Sequence, residues 1–232
     1  MGTASTSFQP THRGGSAVVV LDHAAIEAHA EELASLSPMF AGLLARNGTP
    51  PLWRRLPSFQ TLVRLVLEQQ VSLASANAAY RKLEVRVGDA TPEAILGSTD
   101  AELRSDGFSR QKSGYVRGIA MLISDGEFAP ESLAATSDGA MVELLAIRGV
   151  GPWTAACFAL FALGLPDVWP RGDRALHVSM SRTMGLTAVP GSDEAEGLAA
   201  SWSPHRSTAA RMLWHDYLGG RAYVQAPDAG FV

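Results

Sequence analysis

The stretch IRGVGPWTAA, residues 147–156, interrupts an apolar helical pattern and then restarts it. Apolar residues at helical spacing lead into it from Met141 and follow it as far as Phe161. Two glycines in three residues supply positive-φ freedom. Pro152 suits the first position of a new helix, because its missing N–H would have no partner there. The stretch therefore predicts a helix, a tight hairpin and a second helix.

The start of that second helix leaves backbone N–H groups pointing outward, because they have no partners within the helix. Such a terminus attracts anions, and phosphate above all. The hairpin is therefore a candidate grip for a nucleic-acid backbone. The residues expected to form it are Arg148, Gly149, Val150, Gly151, Trp153 and Thr154.

Length and composition restrict the class of protein. The chain has 232 residues, of which 47% are hydrophobic, enough for one large domain or two small lobes that share a core. It has no apolar run of the roughly 18 residues that a membrane span needs and no secretory signal pattern. We therefore expect a cytoplasmic monomer without a membrane partner. The single cysteine, Cys157, excludes a disulfide within the chain and four-cysteine metal sites, and its apolar helix favours a buried, inert thiol.

The charge of the chain does not by itself indicate a nucleic-acid partner. The formal net charge is −4, whereas nucleic-acid-binding domains usually carry a basic excess. Distribution can outweigh the total, since acidic residues gather near the N-terminus and many arginines lie in later segments. Charge alone favours a solvated, arginine-rich surface.

Helical signals follow one another along the chain, with almost none of the alternation typical of strands. The predicted helices cover residues 22–35, 39–46, 58–70, 72–87, 99–105, 110–124, 138–147, 152–164, 174–184, 192–202 and 204–218. They indicate an all-α fold of two helical lobes with a cleft between them. A central lobe over 55–165 ends in the hairpin, while N-terminal helices over 17–54 pack with C-terminal helices over 166–232. Residues 1–16, rich in Ser, Thr and Gly, are expected to be a disordered tail.

A carboxylate follows the hairpin at a position suited to chemistry. The segment GLPDVWPRGDRALHVSM, residues 164–180, crosses a loop with two prolines and enters a helix at Asp173. An Asp that opens a helix is usually its N-cap. This structural role is compatible with catalysis, because the helix N-terminus and the neighbouring Arg171 and Arg174 favour the ionised form. A carboxylate held charged can stabilise a developing cation or orient water.

Four segments together resemble the helix-hairpin-helix base-excision DNA glycosylases, in particular the 3-methyladenine DNA glycosylase II branch. They are LVRLVLEQQVSLASA (62–76), GFSRQKSGYVRGIA (107–120), LLAIRGVGPWTA (144–155) and DVWPRGDRAL (167–176). The resemblance implies that the partner is double-stranded DNA with a damaged base, bound in the cleft with Arg171 and Arg174 beside it. It implies that Asp173 is the catalytic carboxylate and that Gln70 fills the gap left by a flipped-out nucleotide. A plain polar helix end is the alternative for Gln70.

The chemistry implied is hydrolysis of an N-glycosidic bond. Breaking that bond builds positive charge on the deoxyribose, which a preorganised carboxylate stabilises. An alkylated purine is itself cationic and leaves without protonation, so one carboxylate suffices. Aromatic walls favour cationic bases, and we expect the base pocket to be lined by Trp153, Cys157, Trp169 and His205. The alternative is that the tryptophans are core residues.

The resemblance also implies one inorganic ion and no organic cofactor. In the family the hairpin binds a monovalent cation through backbone carbonyls, which in this sequence are those of Leu145, Ile147 and Val150. This ion, Na⁺ or K⁺, would be structural and would need no side-chain ligand. The sequence has no His, Cys and Asp cluster with the spacing of a divalent-metal site.

Two other functions compete with this interpretation. A non-catalytic DNA-binding or damage-sensing module would need the hairpin and Gln70 but not Asp173. A bifunctional enzyme similar to endonuclease III would need a lysine on the second hairpin helix and cluster-binding cysteines. This chain has Trp153 at the position of that lysine and no lysine after Lys112, which favours the monofunctional enzyme.

The missing lysine generates a prediction. A bifunctional enzyme forms a Schiff base with the abasic sugar, and borohydride traps it as a covalent protein–DNA adduct. We expect no such adduct on a denaturing gel when borohydride is added to the protein and damaged duplex, because the hairpin helix offers no amine nucleophile. An adduct that forms as fast as base is released would contradict the monofunctional assignment.

Overall fold

The computed structural model of the protein describes residues 20–133 and 137–220, so the tail predicted over 1–16 lies outside the described residues. The described chain is mostly helical and contains no β-strand, which confirms the all-α prediction. Its α-helices are α1 (His23–Leu36), α2 (Pro38–Asn47), α3 (Phe59–Glu68), α4 (Leu73–Val87), α5 (Pro92–Gly97), α6 (Asp100–Asp106), α7 (Arg110–Ser124), α8 (Ser137–Ala146), α9 (Pro152–Phe158), α10 (Arg174–Met184), α11 (Ser192–Ala199) and α12 (Arg206–Tyr217). Among these described helices, none combines the length and apolarity needed to cross a membrane.

The differences from the sequence prediction include those at α3, α5 and α9. Helix α3 ends at Glu68 rather than at residue 70, because Gln69 leaves the helical conformation with a ψ of 119° and Gln70 then adopts a left-handed φ of 58°. Helix α5 was not predicted, since its 6 residues are too few to establish a helical period. Helix α9 is followed by a π-helical turn over Ala159–Leu163, which replaces the regular helix expected there.

Serine hydroxyls begin several of the helices. The side chains of Ser58, Ser72 and Ser109 accept hydrogen bonds from the N–H groups three residues later, at 3.2–3.3 Å, at the starts of α3, α4 and α7. These bonds satisfy backbone donors that the first helical turn leaves without partners. Local sequence therefore determines where these helices begin.

The principal packing contacts fall into two groups of helices. Helix α3 packs on α4, α7 and α9, while α7 also packs on α5 and α6. The N-terminal helices α1 and α2 pack on α12, and α10 packs on α2, α11 and α12. The N-terminal helices thus contact the C-terminal ones across the sequence. The boundaries predicted for the lobes, at residues 55 and 165, stay a prediction.

A buried arginine joins helix α12 to the π-helical turn and to the segment before α3. Arg211 of α12 is 0% exposed, and its guanidinium donates to the carbonyls of Leu52 at 3.0 Å, Leu160 at 2.8 Å and Ser207 at 3.2 Å. Burial lowers the pKa of Arg211 to about 9, so the side chain stays charged at neutral pH. Its bonds fix α12 against the π-helical turn and the segment before α3.

The hairpin between α8 and α9 has one glycine that the fold requires. Gly149 has φ 94°, and the N–H of Val150 donates to the carbonyl of Ile147 at 3.0 Å, which closes the turn. A Cβ on Gly149 would lie 2.2 Å from Cγ of Tyr115 on α7. Gly151 has φ −87° and open space around it. The prediction that both glycines supply positive φ is therefore wrong for Gly151, which serves as the N-cap of α9.

This contrast predicts different effects for two alanine substitutions. Gly149→Ala should destabilise the protein by about 2–5 kcal/mol, because it combines a strained backbone with a clash against an aromatic ring. Gly151→Ala is the matched control and should cost only about 0.5–1 kcal/mol, the usual loss when alanine replaces a favoured N-cap residue. Urea unfolding of both variants measures the difference, and equal stability would contradict the hairpin geometry.

Candidate active site

The carboxylate of Asp173 is buried and held by three hydrogen-bond donors. Asp173 is the N-cap of α10 and is 9% exposed. Its Oδ1 accepts the backbone N–H of Leu176 at 2.9 Å and the indole N–H of Trp214 at 3.1 Å. Its Oδ2 accepts the indole N–H of Trp153 at 2.9 Å. Both oxygens are thus oriented, and the capping role and a site role coexist.

The groups that meet at the Asp173 carboxylate come from three helices, α9, α10 and α12. Trp153 is the second residue of α9, directly after the hairpin, so the hairpin's own helix reaches Asp173. Trp214 lies on α12 and stacks on Phe161 of the π-helical turn, with ring centroids 5.3 Å apart. Sequence reasoning missed Trp214, because its partner Asp173 lies 41 residues away in the chain. The available signal was chemical, since a buried indole N–H needs an acceptor.

Cys157, predicted in the base pocket, lies inside the core. It follows Trp153 by one helical turn on α9 and is 1% exposed. Burial, followed by the negative charges of Asp173 and Glu68, raises the pKa of the Cys157 thiol well above its usual value. The thiol therefore stays protonated near neutral pH, in agreement with the expectation of an inert cysteine. Its role as a pocket wall stays a prediction.

The other two predicted pocket residues contact the core and helix α1. Trp169 is buried and packs edge-on against Trp202, with ring centroids 5.5 Å apart. Nε2 of His205 lies 3.0 Å from a carboxylate oxygen of Glu32, and its ring centroid is 4.0 Å from that of His29. Neither contact involves a hairpin residue. The assignment of both side chains to a base pocket stays a prediction.

The residues predicted to bind DNA at the hairpin differ in exposure. Arg148 and Gly151 are exposed, Gly149 is partly buried, and Val150 is buried. Thr154 is 2% exposed, and its hydroxyl accepts a hydrogen bond from Gln69. Arg148 is therefore free to contact a phosphate with its side chain, whereas Thr154 faces the protein.

The two arginines flanking Asp173 are arranged differently. The guanidinium of Arg171 pairs with the carboxylate of Asp193 and, at 3.3 Å, with that of Glu196, both on α11. Arg174 is exposed on the first turn of α10. A phosphate would compete with two carboxylates for Arg171, so Arg174 is the more available cation.

Gln70 projects from the protein directly after α3. It is exposed, and Val71 in the same loop and Leu73 at the start of α4 are each 46% exposed. The preceding residue, Gln69, donates from Nε2 to the carbonyl of Gly149 and to the hydroxyl of Thr154, both at 2.9 Å. The loop of Gln70 is thus joined to the hairpin. Sequence reasoning missed Gln69, because its partners lie about eighty residues further along the chain.

The carbonyls of Leu145, Ile147 and Val150 fit a monovalent cation chemically. Leu145 lies in the last turn of α8, which ends at Ala146, and Ile147 and Val150 follow that helix. The C-terminal end of a helix carries partial negative charge. All three are neutral oxygen donors, which suit hard cations. The Ile147 carbonyl also accepts the turn hydrogen bond and has a second lone pair. Within 20–133 and 137–220, no group of three or more His, Cys, Asp or Glu side chains suits a metal ion.

Comparison with known proteins finds relatives that are named 3-methyladenine DNA glycosylases or glycosidases. A DNA-3-methyladenine glycosylase of Bacillus subtilis is 30% identical over 169 residues, which are 67% of this chain and 56% of that protein. A 3-methyladenine DNA glycosylase of Schizosaccharomyces pombe in complex with abasic DNA shares the fold, with a TM-score of 0.76 and 23% identity over 85% of this chain and 100% of that chain. A DNA-3-methyladenine glycosidase of Bacillus halodurans gives a TM-score of 0.66 and 28% identity over 82% of this chain and 88% of its own.

The matches cover part of the length of some relatives and more than half of this chain. This chain spans 64% and 56% of the lengths of two Bacillus subtilis relatives. The family model of the HhH-GPD superfamily of base excision DNA repair proteins matches residues 63–205, from α3 to the start of α12. These residues include both Asp173 and the hairpin. Because the match covers more than half of the chain, the protein belongs to the HhH-GPD superfamily of base excision DNA repair proteins.

Proposed function

We propose that the protein is a monofunctional DNA N-glycosylase that flips out alkylated purines, of the 3-methyladenine type, and hydrolyses their N-glycosidic bond. The observation that carries this proposal is the Asp173 carboxylate, which two indole N–H groups and one backbone N–H hold beside the helix of the hairpin. The names of the relatives support the substrate class. A module that only binds DNA would have no need of a buried, oriented carboxylate.

The proposed reaction follows from the charges. The bond between C1′ and the base nitrogen breaks, and its electron pair neutralises the positive charge of the alkylated base. Positive charge then develops on the deoxyribose, where the Asp173 carboxylate stabilises it without having to reorganise. Water adds to C1′ and releases a proton to solvent. Trp153 and Trp214 keep the carboxylate oriented throughout, since each donates an indole N–H to it.

DNA binding is proposed to use backbone groups and a loop. The start of α9 presents N–H groups to a phosphate, and the exposed Arg148 and Arg174 add positive charge. The exposed Gln70 enters the space left by the flipped nucleotide. Extrusion costs a few kcal/mol and is easiest for damaged or mispaired bases, so flipping itself contributes selectivity. A Na⁺ or K⁺ ion on the carbonyls of Leu145, Ile147 and Val150 would supply further positive charge at the hairpin.

A direct test is to identify the bases that the protein releases from DNA treated with a methylating agent. Mass spectrometry should detect methylated purines, with undamaged bases absent. Release should continue in EDTA, because the proposed chemistry uses a carboxylate and no divalent metal. Tight binding to damaged duplex without any released base would instead support the damage-sensing module, and loss of activity in EDTA with recovery on adding zinc or magnesium would contradict the mechanism.

The role of Asp173 is tested by Asp173→Asn. The variant should release methylated bases at least about 100-fold more slowly, because one preorganised charge is lost. It should bind lesion DNA as tightly as the wild type or more tightly, since a negative charge near phosphates is removed. Its free energy of unfolding should fall by about 1–3 kcal/mol. The NH2 group of asparagine replaces one carboxylate oxygen and cannot accept a hydrogen bond, so an indole N–H would face another donor.

An asparagine that acted only as an N-cap would leave the stability nearly unchanged, so the expected loss comes from the indole contacts of residue 173. Asp125→Asn is the matched control, because it removes the same charge from an exposed position at the end of α7. Single-turnover base release and thermal unfolding measure both variants. Release within a few-fold of wild type by Asp173→Asn would show that Asp173 is only a cap.

A further inference from the structure

A lysine on α7 binds the end of the helix that precedes Gln70. The ammonium group of Lys112 donates to the carbonyl of Leu67 at 2.7 Å and to that of Gln69 at 2.9 Å. Carbonyls at the end of a helix lack partners within it and carry partial negative charge. Burial lowers the pKa of Lys112, which agrees with an ammonium group enclosed by protein. Lys112 thus binds the chain at the point where α3 ends.

The same point is bound from the hairpin side. Gln69 contributes its carbonyl to Lys112 and its side-chain amide to the carbonyl of Gly149 and the hydroxyl of Thr154. Helix α7 also touches the hairpin directly, because the ring of Tyr115 lies against Gly149. One residue, Gln69, therefore connects α7, the end of α3 and the hairpin that is proposed to bind phosphate.

Gln70 follows immediately in a conformation that needs external support. Its φ of 58° is left-handed, which is unfavourable for a residue with a side chain. Such a backbone persists where surrounding contacts hold it. The side chain of Gln70 is exposed, so the bonds to the preceding residue, Gln69, supply the nearest restraint.

We propose that Lys112 is a positioning residue that acts through Gln70. By bonding two carbonyls at the end of α3, it holds the Gln70 loop in its left-handed conformation and at a fixed separation from the hairpin. Insertion at the flipped nucleotide and phosphate binding at the hairpin then occur in one docking geometry. The inference rests on the proposed function only in requiring that Gln70 inserts into DNA.

The chain offers a matched control for the test. Lys82 and Lys112 are its two lysines, and Lys82 is exposed on α4. Lys112→Met should weaken binding to a duplex with a stable abasic analogue by about tenfold, because hydrogen bonds from a charged donor are lost. Binding to the undamaged duplex should change less than about twofold, since only the flipped state uses Gln70. Lys82→Met should leave both affinities within about twofold, and Lys112→Arg should recover part of the loss.

A double-mutant cycle with Gln70→Ala identifies the route of the effect. If Lys112 acts through Gln70, Lys112→Met should cause no further loss of abasic-duplex affinity in the Gln70→Ala background. Full additivity of the two losses would overturn the inference. An equal loss on both duplexes, with the salt dependence reduced by about one counterion, would also overturn it and make Lys112 a phosphate contact.

Folding and function are separated in the same experiment. Thermal unfolding reports whether Lys112→Met folds, and if it does not, Gln69→Met removes the other support of the loop and enters the same cycle with the same expected coupling. Base release from methylated DNA is measured in parallel for the wild type. Coupling without base release would refute the proposed activity and leave this inference standing, whereas base release with additive losses would refute this inference alone.

Discussion

The arrangement of the site depends on the groups that donate hydrogen bonds to the Asp173 carboxylate. Burying a charge without hydrogen bonds costs several kcal/mol, and here two indole N–H groups and a backbone N–H offset that cost. None of these three donors is a cation. An arginine partner would fix the carboxylate equally well but would neutralise much of its field. In the proposed reaction, neutral donors leave the negative charge available to a cation that develops on the substrate.

Those donors are in place only because buried contacts elsewhere fix the helices that carry them. Arg211 lies one turn before Trp214 on α12 and bonds the carbonyls of Leu52 and Leu160, which locks α12 against the π-helical turn. Phe161 of that turn stacks on the Trp214 ring. Because the core is close-packed, a displacement of α12 would move the indole away from Asp173. The fold therefore determines the orientation of the carboxylate.

The sequence predicted the features that depend on residues close to one another in the chain. Serine caps, proline at a helix start and apolar periodicity gave the helices and the hairpin, and the resemblance placed Asp173 after them. Sequence reasoning missed Trp214, Gln69 and Lys112, because their partners are 41, 80 and 43 residues away in the chain. No local pattern distinguishes such a side chain from an ordinary core or surface residue. The role of Gly151 was misjudged for a related reason, since backbone angles at a turn depend on what packs against it.

The arginine content of the chain has a structural explanation. Many arginines form ion pairs with carboxylates of the same chain, most of them partly or fully exposed: Arg46, Arg55, Arg64, Arg86, Arg117, Arg171 and Arg206. A net charge of −4 is therefore compatible with a DNA partner, because helix-start N–H groups bind phosphate without any basic excess. The exposed Arg148 and Arg174 are then sufficient as local cations. Weak overall attraction also limits non-specific binding, so the proposed recognition of damage would depend more on Gln70 and on the geometry of the site than on charge.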